Sequence, residues 1–184
     1  HGGEMLMKIT SEYDGIRAGV ASEPASTEFL ARRPRSPNDP PPLELPETMD
    51  AYPPEQLAAH IADLRARSDL AVAKRRLETI DTPIFVQGRD RDHNQSTFRL
   101  NYELLAEGGK EVEWKSYDHA EHGFLFLRRN RAVFQRFFED CFGWELLVEG
   151  RPAPSTKLFG WAQGFEPATS GDANEVPRAL APVR

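Results

Sequence analysis

Two clusters of chemically capable side chains stand near one another in this sequence. The first, Arg89-Asp90-Arg91-Asp92-His93-Asn94, comes directly after the short apolar run Ile84-Phe85-Val86-Gln87-Gly88. The second, His119-Ala120-Glu121-His122-Gly123, comes after the alternating run Val112-Glu113-Trp114-Lys115-Ser116-Tyr117. An apolar run bounded by proline and glycine predicts a buried strand, and strict alternation predicts another. Neighbouring parallel strands bring the loops at their carboxyl ends side by side, exposed to substrate yet held by a rigid sheet. A carboxylate within reach of an imidazole fixes its tautomer and stabilises the imidazolium, the base–orienter pair of nucleophilic catalysis. His122, with a glycine after it and just past a strand end, is the candidate base. Asp90 and Asp92 are the candidate orienting acids.

The elements needed to position these loops can be read in order. Gly2-Gly3 leads into a helical apolar pattern through Met5, Leu6 and Ile9, which Tyr13-Asp14-Gly15 ends. Ile16–Ala21 reads as a strand of small residues ending at Ser22-Glu23-Pro24. From 25 to 54 prolines accumulate, Pro40-Pro41-Pro42 among them, so that segment is expected to be an extended surface excursion, either a solvated loop or a flap beside the pocket. Leu57, Ile61 and Leu64 predict a helix from Glu55 to about Arg76, opened by Pro53-Pro54, with His60 in a structural or exposed role. Strand 82–88, helix 95–108 closed by Gly108-Gly109, strand 112–117 and an aromatic helix over 130–142 complete the pattern. Strands separated by helices imply a parallel sheet with right-handed crossovers. The fold class expected is α/β, the closing half of a doubly wound, mostly parallel sheet with helices on both faces. A partial catalytic domain over 1–149 is then joined to a loosely structured tail over 150–184, rich in Pro, Gly and Ala.

Composition narrows the partners. The 184 residues carry a formal charge of −6 with basic and acidic side chains interspersed, which argues against a nucleic-acid partner. No apolar run approaches the roughly 20 residues that cross a bilayer, so no membrane partner is expected. The single cysteine, Cys141, excludes an internal disulfide and is expected to be a buried thiol on the last helix. Asp90, Asp92, His93, His119, Glu121 and His122 could be read together as metal ligands. However, His119-Ala120-Glu121-His122 is neither His-Glu-x-x-His nor its inverse, so no metal and no cofactor are expected. Compartment and oligomeric state are left open by the sequence.

His1-Gly2-Gly3-Glu4-Met5 resembles the residues just after the nucleophile in the Gly-x-Ser-x-Gly-Gly elbow of the prolyl oligopeptidase (S9) family of α/β-hydrolases. Ile16–Pro24 resembles the next strand of that family, and Thr82–Phe124 its acid–helix–histidine block. The likeness covers about half of the chain. It implies that His122 is the catalytic histidine, with Gly123 and Phe124 after it as in the family, and that His119 is a neighbour. Asp90 is the implied acid, because its spacing to Leu105 is kept; Asp92 is the alternative, since the family's Gly-x-x-Asp is disturbed after Gly88. The backbone N–H of His1 is implied as an oxyanion-hole donor. The serine would immediately precede His1, and no Gly-x-Ser-x-Gly occurs in the chain. The resemblance therefore implies a fragment of a serine hydrolase acting on a peptide or ester substrate, inactive without its nucleophile and exposing a sheet edge. A serine peptidase is the first expectation; a carboxylesterase-type hydrolase and a non-catalytic binding module are the alternatives.

Overall fold

The computed structural model describes residues 2–34, 36–44, 49–122, 128, 131–142, 147–148 and 151–152. The chain divides into two compact units, His1–Phe126 and Leu127–Arg184. In the first, the described elements run α1 (Gly2–Glu12), β1 (Gly19–Ser22), α2 (Glu28–Ala31), α3 (Pro54–Ala66), α4 (Leu70–Glu78), β2 (Ile84–Arg89), α5 (Gln95–Glu107) and β3 (Val112–Tyr117). The second contains α6 (Arg131–Phe142) and a short antiparallel pair, β4 (Leu147–Val148) and β5 (Arg151–Pro152). Along α6, Phe138 stacks on Phe142, and Phe134 and Phe137 are its buried residues. Cys141 is partly exposed rather than buried, lying near the carboxyl end of α6.

The first unit is α/β, built on a parallel sheet in the order β1-β2-β3. Every residue of β2, the central strand, is buried. Its uncharged polar side chain, Gln87, is satisfied: Ser22 Oγ donates to its Oε1 at 2.7 Å and its Nε2 donates to the Gly88 carbonyl at 3.1 Å. Ile84 and Val86 of this strand join Met7, Ala21, Leu30, Leu77, Leu100, Leu104 and Leu105 in one core. Among the described residues β1 and β3 each pair on one side only. The alternation expected of β3 is present, its residues passing from half-buried to exposed through Lys115.

Local chemistry sets the ends of the elements. The N–H of Gly109, at φ +70°, donates to the Ala106 carbonyl, and the N–H of Lys110 to that of Leu105. That is the paired closure of a helix by a left-handed residue, and it stops α5 where the two glycines predict. The long helix expected from Glu55 to Arg76 is instead two helices. Asp69 caps the second by accepting the Val72 N–H at 2.9 Å, and a capping carboxylate in that position starts a new helix rather than continuing an old one. The excursion also holds a helical turn, α2, before its prolines begin.

The proline-rich segment is tied down. Arg67, just past α3, donates to the carbonyls of Pro40 and Pro41 at 2.8 and 2.7 Å and pairs with Asp63 at 2.7 Å. Arg33 donates to the Ala66 carbonyl at 3.0 Å and pairs with Asp39. Nearer the sheet, the buried Asn101 amide of α5 donates to the carbonyls of Pro24 and Ser26, both at 3.1 Å. The first turn of α1 sits against the carboxyl end of β1. A Cβ on Gly3 would lie 2.6 Å from the Ser22 carbonyl oxygen and 3.1 Å from the Pro24 nitrogen.

Gly3→Ala forces helix and strand apart and is expected to cost about 1–3 kcal/mol, read from the urea midpoint. The Arg67 hydrogen bond holds the Asp63 carboxyl below its ordinary value of 3.8. A lowered carboxyl contributes stability above its unfolded value, and loses it as pH falls through the folded one. Proteolysis within 36–44 is therefore expected to accelerate below about pH 4, and Asp63→Asn to raise it already at neutral pH.

Candidate functional site

All three strands of the sheet point their carboxyl ends the same way, so the turns after Ser22, Arg89 and Tyr117 form one edge. Arg89, the last residue of β2, sits at the centre of that edge and is buried. Its guanidinium pairs with Asp92, lies 3.7 Å from the Glu23 carboxylate, and donates to the Ala120 carbonyl at 2.6 Å. One side chain thus joins the loops after β1, β2 and β3. Glu23 is held at φ 50°, a conformation costly for a residue with a Cβ, while its N–H donates to the Gln87 carbonyl at 2.8 Å.

The two candidate acids have different surroundings. Asp92 is buried, and both carboxylate oxygens are engaged: one by Arg89, the other by the Asn94 N–H at 2.7 Å. Asp90 is half-buried and accepts a hydrogen bond from Ser116 Oγ of β3 through Oδ1. Its own N–H donates to the Tyr117 carbonyl at 2.9 Å, extending the β2–β3 ladder by one residue. At the surface Arg91 pairs with Asp118 at 2.7 Å, a further tie between the loops, and holds the Asp118 carboxyl below its ordinary range.

In the loop after β3, His119 is half-buried: its Nδ1 accepts the Glu121 N–H at 3.0 Å and its ring faces Tyr117. Burial pushes the Tyr117 phenol up. His122 is exposed, and among the described residues no hydrogen bond or ion pair joins its imidazole to Asp90 or Asp92. The structure brings the two loops together through their backbones and through Arg89, and leaves His122 facing solvent. His1, Gly123 and Phe124 lie outside the described residues, as does most of the tail. Among the described residues no group of three or more His, Cys, Asp or Glu is placed to hold a metal ion. Among them, too, no helix is long and apolar enough to cross a membrane.

Behind the acid loop lies a polar interlock. The buried Gln95, first residue of α5, accepts the Tyr52 N–H through Oε1 at 3.0 Å. Its Nε2 donates to the carbonyls of Asp50 and Asp92 at 3.1 and 3.0 Å. The Tyr52 hydroxyl donates to the His93 carbonyl at 3.1 Å, and its ring lies 5.2 Å from that of the buried His60. Burial, and then the Asp92 charge, push the Tyr52 phenol up, so it stays a proton donor.

Sequence reasoning singled out neither Glu23, Arg89, Tyr52 nor Gln95. For Arg89 a signal existed: a basic residue at the end of a buried strand, close to two aspartates. For the others the partners are main-chain atoms or distant residues, which leave no local pattern. Comparison with family models, curated proteins and solved structures returns no match to this chain.

Removing Arg89 deprives two buried carboxylates of its charge, a change that costs about 3–5 kcal/mol. Arg89→Ala is expected to lower the urea midpoint accordingly. Arg89→Lys recovers little, because a single ammonium cannot reach Asp92, Glu23 and the Ala120 carbonyl together.

Proposed function

We propose that this chain is the carboxyl-terminal part of a serine hydrolase catalytic domain, of the prolyl oligopeptidase-like kind that cleaves peptide bonds. One observation carries the reading: the first turn of α1, the Asp90–Asp92 loop and the His119–His122 loop all arrive at the carboxyl edge of one parallel sheet. Nucleophile, acid and base of an acyl-transfer site must converge from separate loops in that way.

In this reading the serine is the residue before His1, at the start of α1. His122 takes its proton as the oxygen attacks the substrate carbonyl. The proton then passes to the leaving group, and water, deprotonated by His122 in turn, releases the acyl-enzyme. Asp90 is favoured over Asp92 as the orienting acid. Both oxygens of Asp92 are engaged, by Arg89 and Asn94, whereas Asp90 has one oxygen on Ser116 and its Oδ2 carries no hydrogen bond among the described residues. The imidazole and its acid commonly close on one another only when substrate is bound, so an outward His122 is compatible with the role.

A second reading, a non-catalytic binding module of the same fold, draws support from the same outward His122. Fluorophosphonate labelling of the protein with the chain that precedes His1 attached separates the two. Labelling is expected, falling by at least about a thousandfold in His122→Ala and by about ten-thousandfold in Asp90→Asn. Absence of labelling, or labelling indifferent to His122, overturns the hydrolase reading in favour of the binding module.

A further inference from the structure

The 49–54 stretch closes the proline-rich excursion and is locked to the acid loop by two side chains. Gln95 uses its carboxamide on both sides at once. Its oxygen takes the Tyr52 N–H, and its amide hydrogens go to the Asp50 carbonyl on one side and the Asp92 carbonyl on the other. Tyr52 returns the connection through its hydroxyl to the His93 carbonyl. The partners on the acid loop are the main-chain oxygens of Asp92 and His93, so the bonds fix the path of the loop itself. A loop held through its own carbonyls cannot shift without breaking these hydrogen bonds, and the one to the buried Gln95 carboxamide is expensive to leave unmade.

We propose that Gln95 and Tyr52 are positioning residues that couple residues 49–54, which close the proline-rich excursion, to the acid loop, making that stretch a working part of the site. The proposal rests on the hydrolase reading for its catalytic consequence and on the hydrogen bonds alone for the coupling. The excursion is anchored at three places of unequal strength: Asn101 at its start, Arg67 and Arg33 in its middle, and Gln95 with Tyr52 at its end. The middle anchor is at the surface, where an arginine pair is held weakly against solvent. The end anchor is buried. Displacement of residues 50–52 is therefore delivered to Asp92 and His93 through the Gln95 carboxamide and the Tyr52 hydroxyl. No pull on Asp90 comes from Gln95 directly; it is carried through the short turn from Asp90 to Asp92, which Arg89, Asn94, Ser116 and Asp118 also hold.

The test uses Tyr52→Phe, which removes one hydroxyl and keeps the ring against His60, and Gln95→Glu, which keeps an acceptor for the Tyr52 N–H and removes both donors. Both are made in the protein with the preceding chain attached. Amide exchange is measured over 49–54 and over 90–94, and fluorophosphonate inactivation is resolved into its maximal rate and its half-saturating concentration. Exchange is expected to rise in both stretches together by about tenfold per lost hydrogen bond. The maximal inactivation rate is expected to fall about tenfold or more, with the half-saturating concentration unchanged and the urea midpoint of Tyr52→Phe lowered only by as much as one lost hydrogen bond accounts for. A merely structural contact would move the midpoint and leave that split alone. Faster exchange over 49–54 with 90–94 unaffected overturns the coupling, whether or not the protein is a hydrolase. Faster exchange in both stretches with an unaltered inactivation rate overturns the positioning role. If the unsubstituted protein is not inactivated at all, the hydrolase reading fails and takes the positioning role with it.

Discussion

A guanidinium buried at the end of the central strand holds the carboxyl edge of this sheet together. Arg89 reaches Asp92 in its own loop, Glu23 after β1 and the Ala120 carbonyl after β3. Withdrawing such a group from water is costly, and the cost is met only where good geometry supplies opposite charge and hydrogen-bond acceptors. That demand works as a constraint on the loops. Each must bring its oxygen to a fixed point, so three segments distant in sequence acquire one arrangement. The positive φ of Glu23 belongs to the same constraint: the chain there accepts a costly backbone conformation while its carboxylate stays beside Arg89.

Around that centre the interactions grade from rigid to yielding. Buried carboxamides, Gln87 within the strand, Asn101 on α5 and Gln95 at the head of α5, bind main-chain atoms and fix the paths of neighbouring segments. Farther out, Arg67 with Asp63 and Arg91 with Asp118 lie against solvent, where screening and side-chain entropy weaken them. His122 sits at the yielding end of this series, exposed on a loop whose base is pinned by Arg89 at Ala120. An exposed side chain beside a pinned stretch of backbone suits a group that must meet a partner or a substrate.

Asp90 and Asp92 show how a tight turn divides two identical side chains. They are two residues apart, yet one is buried with both oxygens engaged and the other is half-buried with a hydroxyl donor from β3. Asp92 serves the packing of the edge. Asp90 keeps capacity to accept another hydrogen bond, which is the property an orienting carboxylate needs.

Much of the frame was legible from residue pattern. The apolar run at 84–88 and the alternation at 112–117 mark strands because burial on both faces and on one face leave different periodicities. The glycines at 108 and 109 mark the end of α5 because only a residue without a Cβ takes φ +70° cheaply. The polar runs at 89–94 and 118–122, each just past a strand, pointed to the two loops that the sheet sets side by side. The break between α3 and α4 lies at Asp69, whose capping role the helical spacing of Leu57, Ile61 and Leu64 did not reveal. What sequence could not supply is every relation between distant segments: the Arg89 cluster, the Gln95–Tyr52 interlock, the different settings of Asp90 and Asp92, and the outward His122. Local pattern records what a residue does to its own backbone. A buried charge or carboxamide instead takes its meaning from partners many residues away, often main-chain atoms that any sequence would provide, and only the folded chain decides which of them it meets.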